Sequence, residues 1–112
     1  MLRNVTRDVV IARRPSVALL GWARARGMIA NEFRDFDAMI FPRCRSIHTF
    51  FMGQALDVIF LDASGRVLGV HPGVRPWRIV MGPPGAATVI ELPPGTLCGI
   101  SVQLDDMVSW SA

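Results

Sequence analysis

The chain has 112 residues, a formal charge of +3 and 51% apolar residues. Disordered chains need low hydrophobicity, and a membrane-spanning helix needs about 18 uninterrupted apolar residues, so both classes are excluded by the sequence. A chain of this length can bury roughly two-thirds of its unfolded surface, enough for one core without metal or disulfide staples.

Charge is unevenly spread. Residues 1–56 carry nine arginines and four acids, and residues 57–112 carry three arginines and five acids; lysine is absent. The arginines are scattered and aromatics do not alternate with them, which argues against nucleic acid as a partner. Cys44 and Cys98 fall in no metal or redox spacing and are expected as reduced thiols. Arg13-Arg14 followed by Val17–Ala23 imitates a secretory signal. It is broken by Pro15 and Gly21 and ends in Arg24-Ala25-Arg26, so the expectation is a cytoplasmic protein with no membrane partner.

In chain order, the first expected element is a helix. Ser16 can cap it, Val17–Arg26 contains no proline, and Gly27 can close it. After it, turn signals come at close spacing: Gly53, Ala63-Ser64-Gly65, His71-Pro72-Gly73, Gly82-Pro83-Pro84-Gly85 and Pro93-Pro94-Gly95. Between them Ile47–Met52, Leu56–Asp62, Arg66–Val70, Arg75–Met81, Ala87–Leu92 and Met107–Trp110 read as strands. In Leu56–Asp62, Leu56, Val58 and Phe60 point to one face, and Asp57, Ile59 and Leu61 to the other. Both faces are apolar, which suits a sheet curled into a small barrel or covered by a helix. Asp62 with Gly65 predicts a tight turn after this strand, and Gly53-Gln54-Ala55 predicts a hairpin loop before it. The expected fold is α+β: one domain over residues 1–112, with a small barrel-like, mainly antiparallel sheet and one helix in the N-terminal half.

The run Ile47-His48-Thr49-Phe50-Phe51-Met52-Gly53-Gln54-Ala55-Leu56-Asp57-Val58-Ile59-Phe60-Leu61-Asp62, with Ser64-Gly65-Arg66-Val67 after it, resembles the central hairpins of domain-of-unknown-function family 192 of bacteria and archaea. Arg24 with Gly27-Met28, Asp37-Ala38-Met39-Ile40-Phe41, and Val89-Ile90-Glu91-Leu92-Pro93-Pro94-Gly95 resemble other blocks of that family, in the same order. His48–Met52 resembles its shorter His-Thr-Phe-x-Met subgroup. Asp105-Asp106 stands where the family usually has glycine–aspartate. The resemblance implies a compact α+β domain with a barrel-like sheet and no assigned reaction.

Chemistry-bearing residues are few. His48 and Asp57 could form an imidazole–carboxylate dyad, but a three-residue hairpin loop puts them on opposite faces, and a loop one residue shorter spaces them about 13 Å along the strand. Asp57, flanked by Leu56, Val58 and Ile59, needs a partner if buried: backbone amides, or an arginine such as Arg24 or Arg26. Thr49 lies diagonally across the expected hairpin, and Glu91 poses the same burial question within Val89–Leu92. No spacing supports a metal or cofactor. Pro76-Trp77-Arg78 could present an exposed aromatic to carbohydrate or peptide, or cover a barrel end. The favoured function is a non-catalytic binding or assembly accessory whose partner is a small ligand or a protein. A small hydrolase using Asp57 with Glu91 or His48 is the second reading, and homo-oligomerisation through a strand edge the third.

Overall fold

The computed structural model describes residues 1–18, 33–49 and 53–111. Its centre is the strand whose both faces are apolar: β6 (Leu56–Leu61) is buried at all six positions. Burial on both sides requires a layer above and a layer below, and the chain supplies them from its two ends and its middle.

Ahead of β6 come β1 (Leu2–Asn4), β2 (Val9–Ala12), β3 (Pro15–Val17), β4 (Ala38–Pro42) and β5 (Ser46–His48). After it come β7 (Val67–Val74), β8 (Ile79–Met81), β9 (Thr88–Leu92), the short helix α1 (Thr96–Gly99) and β10 (Val108–Trp110). The central sheet has the order β3-β4-β9-β6-β7, with β3–β4 as its parallel pair. A second sheet, β10-β1-β2, joins the two ends of the chain, and β5 with β8 makes a two-stranded ribbon.

Side-chain alternation sorts the core into two clusters. Ile40, Ile59, Leu61, Ile90 and Leu92 of the central sheet pack with Leu2, Ile11 and Val108 of the terminal sheet. On the opposite face Met39, Phe41, Leu56, Val58, Phe60 and Val89 pack with Ile47 and Val80 of the ribbon. The result is three layers: terminal sheet, central sheet, ribbon. Each fully buried aliphatic or aromatic side chain contributes about 1.5–3 kcal/mol from burial.

The turn after β6 forms as its chemistry predicts. Asp62 Oδ1 accepts from the amides of Ser64 and Arg66, each at 2.9 Å, and from the Ser64 hydroxyl at 2.7 Å. Those bonds hold the Asp62 carboxyl below its usual range, the Arg66 amide contributing most. Gly65 has φ +95° and lies under β10, where a Cβ would come within 2.5 Å of the Val108 carbonyl oxygen.

Three expectations are corrected. The strands of the described residues make three open sheets, not a closed barrel. Ser16 and Val17 do not start a helix; they pair with Met39 and Ile40 in β3, because Pro15 enters extended and the parallel partner β4 takes up the ladder. The remainder of the expected helix, from Leu19 to Arg26, lies outside the described residues. Nor does β5 form a hairpin with β6: β5 pairs with β8, while β6 pairs with β7 and β9. Apolar alternation alone does not tell a local partner from a distant one, and here the distant one wins.

Candidate functional site

The polar residues singled out above sit in three separate places. Asp57 is 1% exposed and faces the terminal-sheet side of β6. Its two carboxylate oxygens accept from the Gly73 amide at the end of β7 and the Leu97 amide in the first turn of α1, both at 2.8 Å. The first residues of a helix have amides without intrahelical partners, and Gly95, at the helix start, offers no side-chain cap. Asp57 therefore caps α1 from a strand forty residues earlier.

Glu91 pairs in register with Met39 on one side and Val58 on the other, so its side chain shares the ribbon-facing side of the sheet with theirs. It is 6% exposed, and burial pushes its carboxyl up to about 8. Val58 is the residue after Asp57, so Asp57 and Glu91 lie on opposite faces of one sheet. The Asp57–Glu91 carboxylate pair expected for a hydrolase does not form. The His48–Asp57 dyad fails too: His48 is on the exposed outer face of the ribbon, and both oxygens of Asp57 are engaged by amides. Arg24 and Arg26 lie outside the described residues. Among the described residues no group of three or more His, Cys, Asp or Glu side chains could hold a metal ion.

The third place is the ribbon. Thr49 is fully buried at its end. Its hydroxyl donates to the Arg75 carbonyl at 2.7 Å and accepts from the Arg78 amide at 2.9 Å, while its own carbonyl accepts from the Trp77 amide at 3.0 Å. Thr49 thus closes the turn from Arg75 to Arg78 with its side chain and backbone, and Trp77 within it has φ +63°, a left-handed conformation rare for a bulky residue. Trp77 is 57% exposed, and Ile79 and Met81, which follow at alternate positions, are 65% and 69% exposed. Val80 between them turns inward to the core. Sequence reading found Trp77 but missed Ile79 and Met81. Ile-Val-Met carries no polar residue to say which face is outside, so alternation there is silent.

A separate buried cluster also escaped sequence reading. Asp106 accepts from Asn4 Nδ2 at 2.8 Å, Arg7 Nε at 2.7 Å and the Gln103 amide at 2.9 Å. Burial alone would raise its carboxyl, yet the bonds from Asn4, Gln103 and Arg7 outweigh burial and hold it low. The cluster ties the first strand to the last turn and is structural.

The family model described as "Uncharacterized ACR", domain-of-unknown-function family 192, matches residues 5–110. The chain belongs to that family. A family relative, the UPF0127 protein of Thermococcus sibiricus, is 34% identical over 116 residues, covering 98% of this chain and 74% of that one. A crystal structure of a protein of unknown function from Novosphingobium aromaticivorans matches with a TM-score of 0.71 at 19% identity, over 86% of this chain and 74% of that one. Another, of a candidate transcription regulator from Sinorhizobium meliloti, matches with a TM-score of 0.72 at 21% identity, over 85% and 79%. At such identities the two structures share the fold alone. The family carries no assigned reaction, and in this member the residues that could do acid–base work are divided between two faces of a sheet and a ribbon.

Proposed function

We propose that this domain of family 192 is a non-catalytic binding or assembly accessory, and that it engages a protein partner through the outer face of the β5–β8 ribbon. The observation that carries the reading is Trp77, Ile79 and Met81: of the six large apolar side chains exposed among the described residues, three fall within five consecutive positions. Exposed apolar groups gathered in one place mark interaction surfaces, and tryptophan and methionine are enriched there. Thr49 supports the same reading, since it fixes the Trp77 turn by hydrogen bonds to the backbone of Arg75, Trp77 and Arg78 and so presents the indole pre-ordered. The free thiols of Cys44 and Cys98 agree with a reducing, cytoplasmic setting for that partner.

The test is site-specific photo-crosslinking in cells of the source organism, with the reactive residue placed at 79, at 81 and, as control, at 104. Leu104 is equally exposed but stands apart from the ribbon. The expected result is one discrete adduct from positions 79 and 81, absent at 104 and lost when Trp77→Ala is added. Equal labelling at all three positions, or none at 79 and 81, overturns the reading.

A further inference from the structure

The ribbon's hydrogen-bond register says more about what it receives. In an antiparallel pair, residues alternate between those bonded across the ladder and those whose N–H and C=O point outward. The Thr49 amide donates to the Arg78 carbonyl at 2.8 Å, and the Gly82 amide to the Arg45 carbonyl at 2.7 Å. With Ile47 opposite Val80 between them, the bonded pairs are Thr49/Arg78, Ile47/Val80 and Arg45/Gly82. Ile79 and Met81, opposite His48 and Ser46, are the alternate residues, so their backbone groups aim away from β5. Among the described residues no strand lies beyond β8. The same two residues therefore offer an open edge of four backbone groups and two exposed apolar side chains.

Charge narrows the occupant. Residues 43–49 and 75–82, the ribbon and its flanks, contain Arg43, Arg45, Arg75 and Arg78 and no acid. All four arginines are exposed, and none makes an ion pair with a described residue. A second copy of the ribbon with its flanks would bring four more arginines against these, and an anionic lipid surface would leave the outward amides and carbonyls without partners. An extended polypeptide that carries carboxylates between apolar residues satisfies the edge, the apolar face and the charge together.

We infer that β8 receives an extended acidic segment of a partner protein as an added strand, bonded to the backbone of Ile79 and Met81 beside Arg75 and Arg78, which precede β8 in the chain. This rests on the ribbon being the binding face and specifies how it binds.

The probe is a synthetic peptide of four Val-Glu repeats with blocked ends, followed by 15N amide spectra and fluorescence anisotropy on the whole chain. Two peptides are compared with it: one with Lys for every Glu, and one with alternate amides N-methylated so that a strand edge cannot bond. Expected are saturable binding of the Glu peptide, slowed exchange of the Ile79 and Met81 amides, at least tenfold weaker binding of the N-methyl peptide, and none of the Lys peptide. Met81→Pro removes an outward N–H that makes no ladder bond, so it should abolish binding while the rest of the amide spectrum is unchanged. Ile79→Arg gives a second variant should proline disturb the strand. Equal binding of the Glu and N-methyl peptides overturns strand addition, and failure of every peptide overturns the acidic partner. If crosslinking at 79 and 81 persists in either case, the ribbon remains the binding face; if it is absent as well, both inferences fall.

Discussion

β9 and β8 are built from the same kinds of residue and meet opposite fates. Thr88–Leu92 is buried at every position, its carboxyl-bearing Glu91 included, because β4 and β6 flank it and layers cover both faces. Among the described residues Ile79–Met81 has one partner strand and one covered face, and so exposes two large apolar side chains and a backbone edge. What decides burial is the number of neighbours a strand acquires, not its own composition. The comparison also separates residues that hold the fold from those available for function, and substitutions can break it.

The largest expected effect is on the buried side of the comparison. Phe60→Ala, at a fully buried position against the ribbon, should cost about 3–5 kcal/mol in urea unfolding. Ile79→Ser and Met81→Ser, made singly, should stay within about 0.5 kcal/mol of the parent. Ribbon variants that destabilise as much as Phe60→Ala would mean that the outer face is covered, and the contrast would collapse.

Glu91 sharpens the same comparison through pH. Its folded-state carboxyl titrates near 8, above the ordinary 4.5, so the folded protein holds a proton that the unfolded chain releases. The stability that Glu91 contributes is therefore full below about pH 4.5 and is lost, at up to about 1.4 kcal/mol per pH unit, as pH rises toward 8, levelling beyond it. Glu91→Gln keeps the shape without the ionisation, and should flatten that part of the profile and be more stable than the parent at pH 8. Parallel profiles for parent and variant would show that Glu91 is not carried neutral.

Asp57→Ala comes next, at about 2–3 kcal/mol, since it leaves the Gly73 and Leu97 amides without their acceptor. Loss of amide protection should concentrate at α1 and the end of β7. Unchanged protection there would refute the capping role.

How far the fold was legible follows from the same physics. The six strands after Arg45 were readable because proline and glycine punctuate most of them, and the Asp62–Gly65 turn because its side-chain chemistry is local; His71-Pro72-Gly73, expected as a turn, instead continues β7 to Val74. β1 and β2 were not, since Val9–Ala12 has no alternation and pairs with β1, whose other neighbour is β10 at the far end of the chain. Pairings over such distances leave no local mark, which is also why β5 was assigned to the wrong neighbour. At the site, Asp57 stood out as an acid in an apolar strand, but its capped helix is forty residues away and too short to announce itself. Trp77 was visible as an aromatic in a turn. The orientation of Ile79 and Met81 was not, because it depends on which face the ribbon lays against Phe60.

The smallest predicted effect concerns Asp105, which stands where family 192 usually carries glycine and adopts φ +72°. Its amide donates to the Val67 carbonyl at 2.9 Å, a bond any residue can make, while its side chain is exposed. The left-handed conformation costs most non-glycine residues about 1 kcal/mol, less for aspartate, and glycine repays part of any gain in unfolded-state entropy. Asp105→Gly should therefore gain about 0.5 kcal/mol, a rise of about 2–4 °C in melting temperature. Asp105→Val should lose more than that, because a β-branched residue tolerates the conformation worst. Trp77 is held at nearly the same φ by Thr49. If Asp105→Gly stabilises and Trp77→Gly does not, the indole's partial burial outweighs its strain. If both stabilise, the ribbon keeps its tryptophan at a cost to the fold, as expected of a side chain retained for contact rather than for packing.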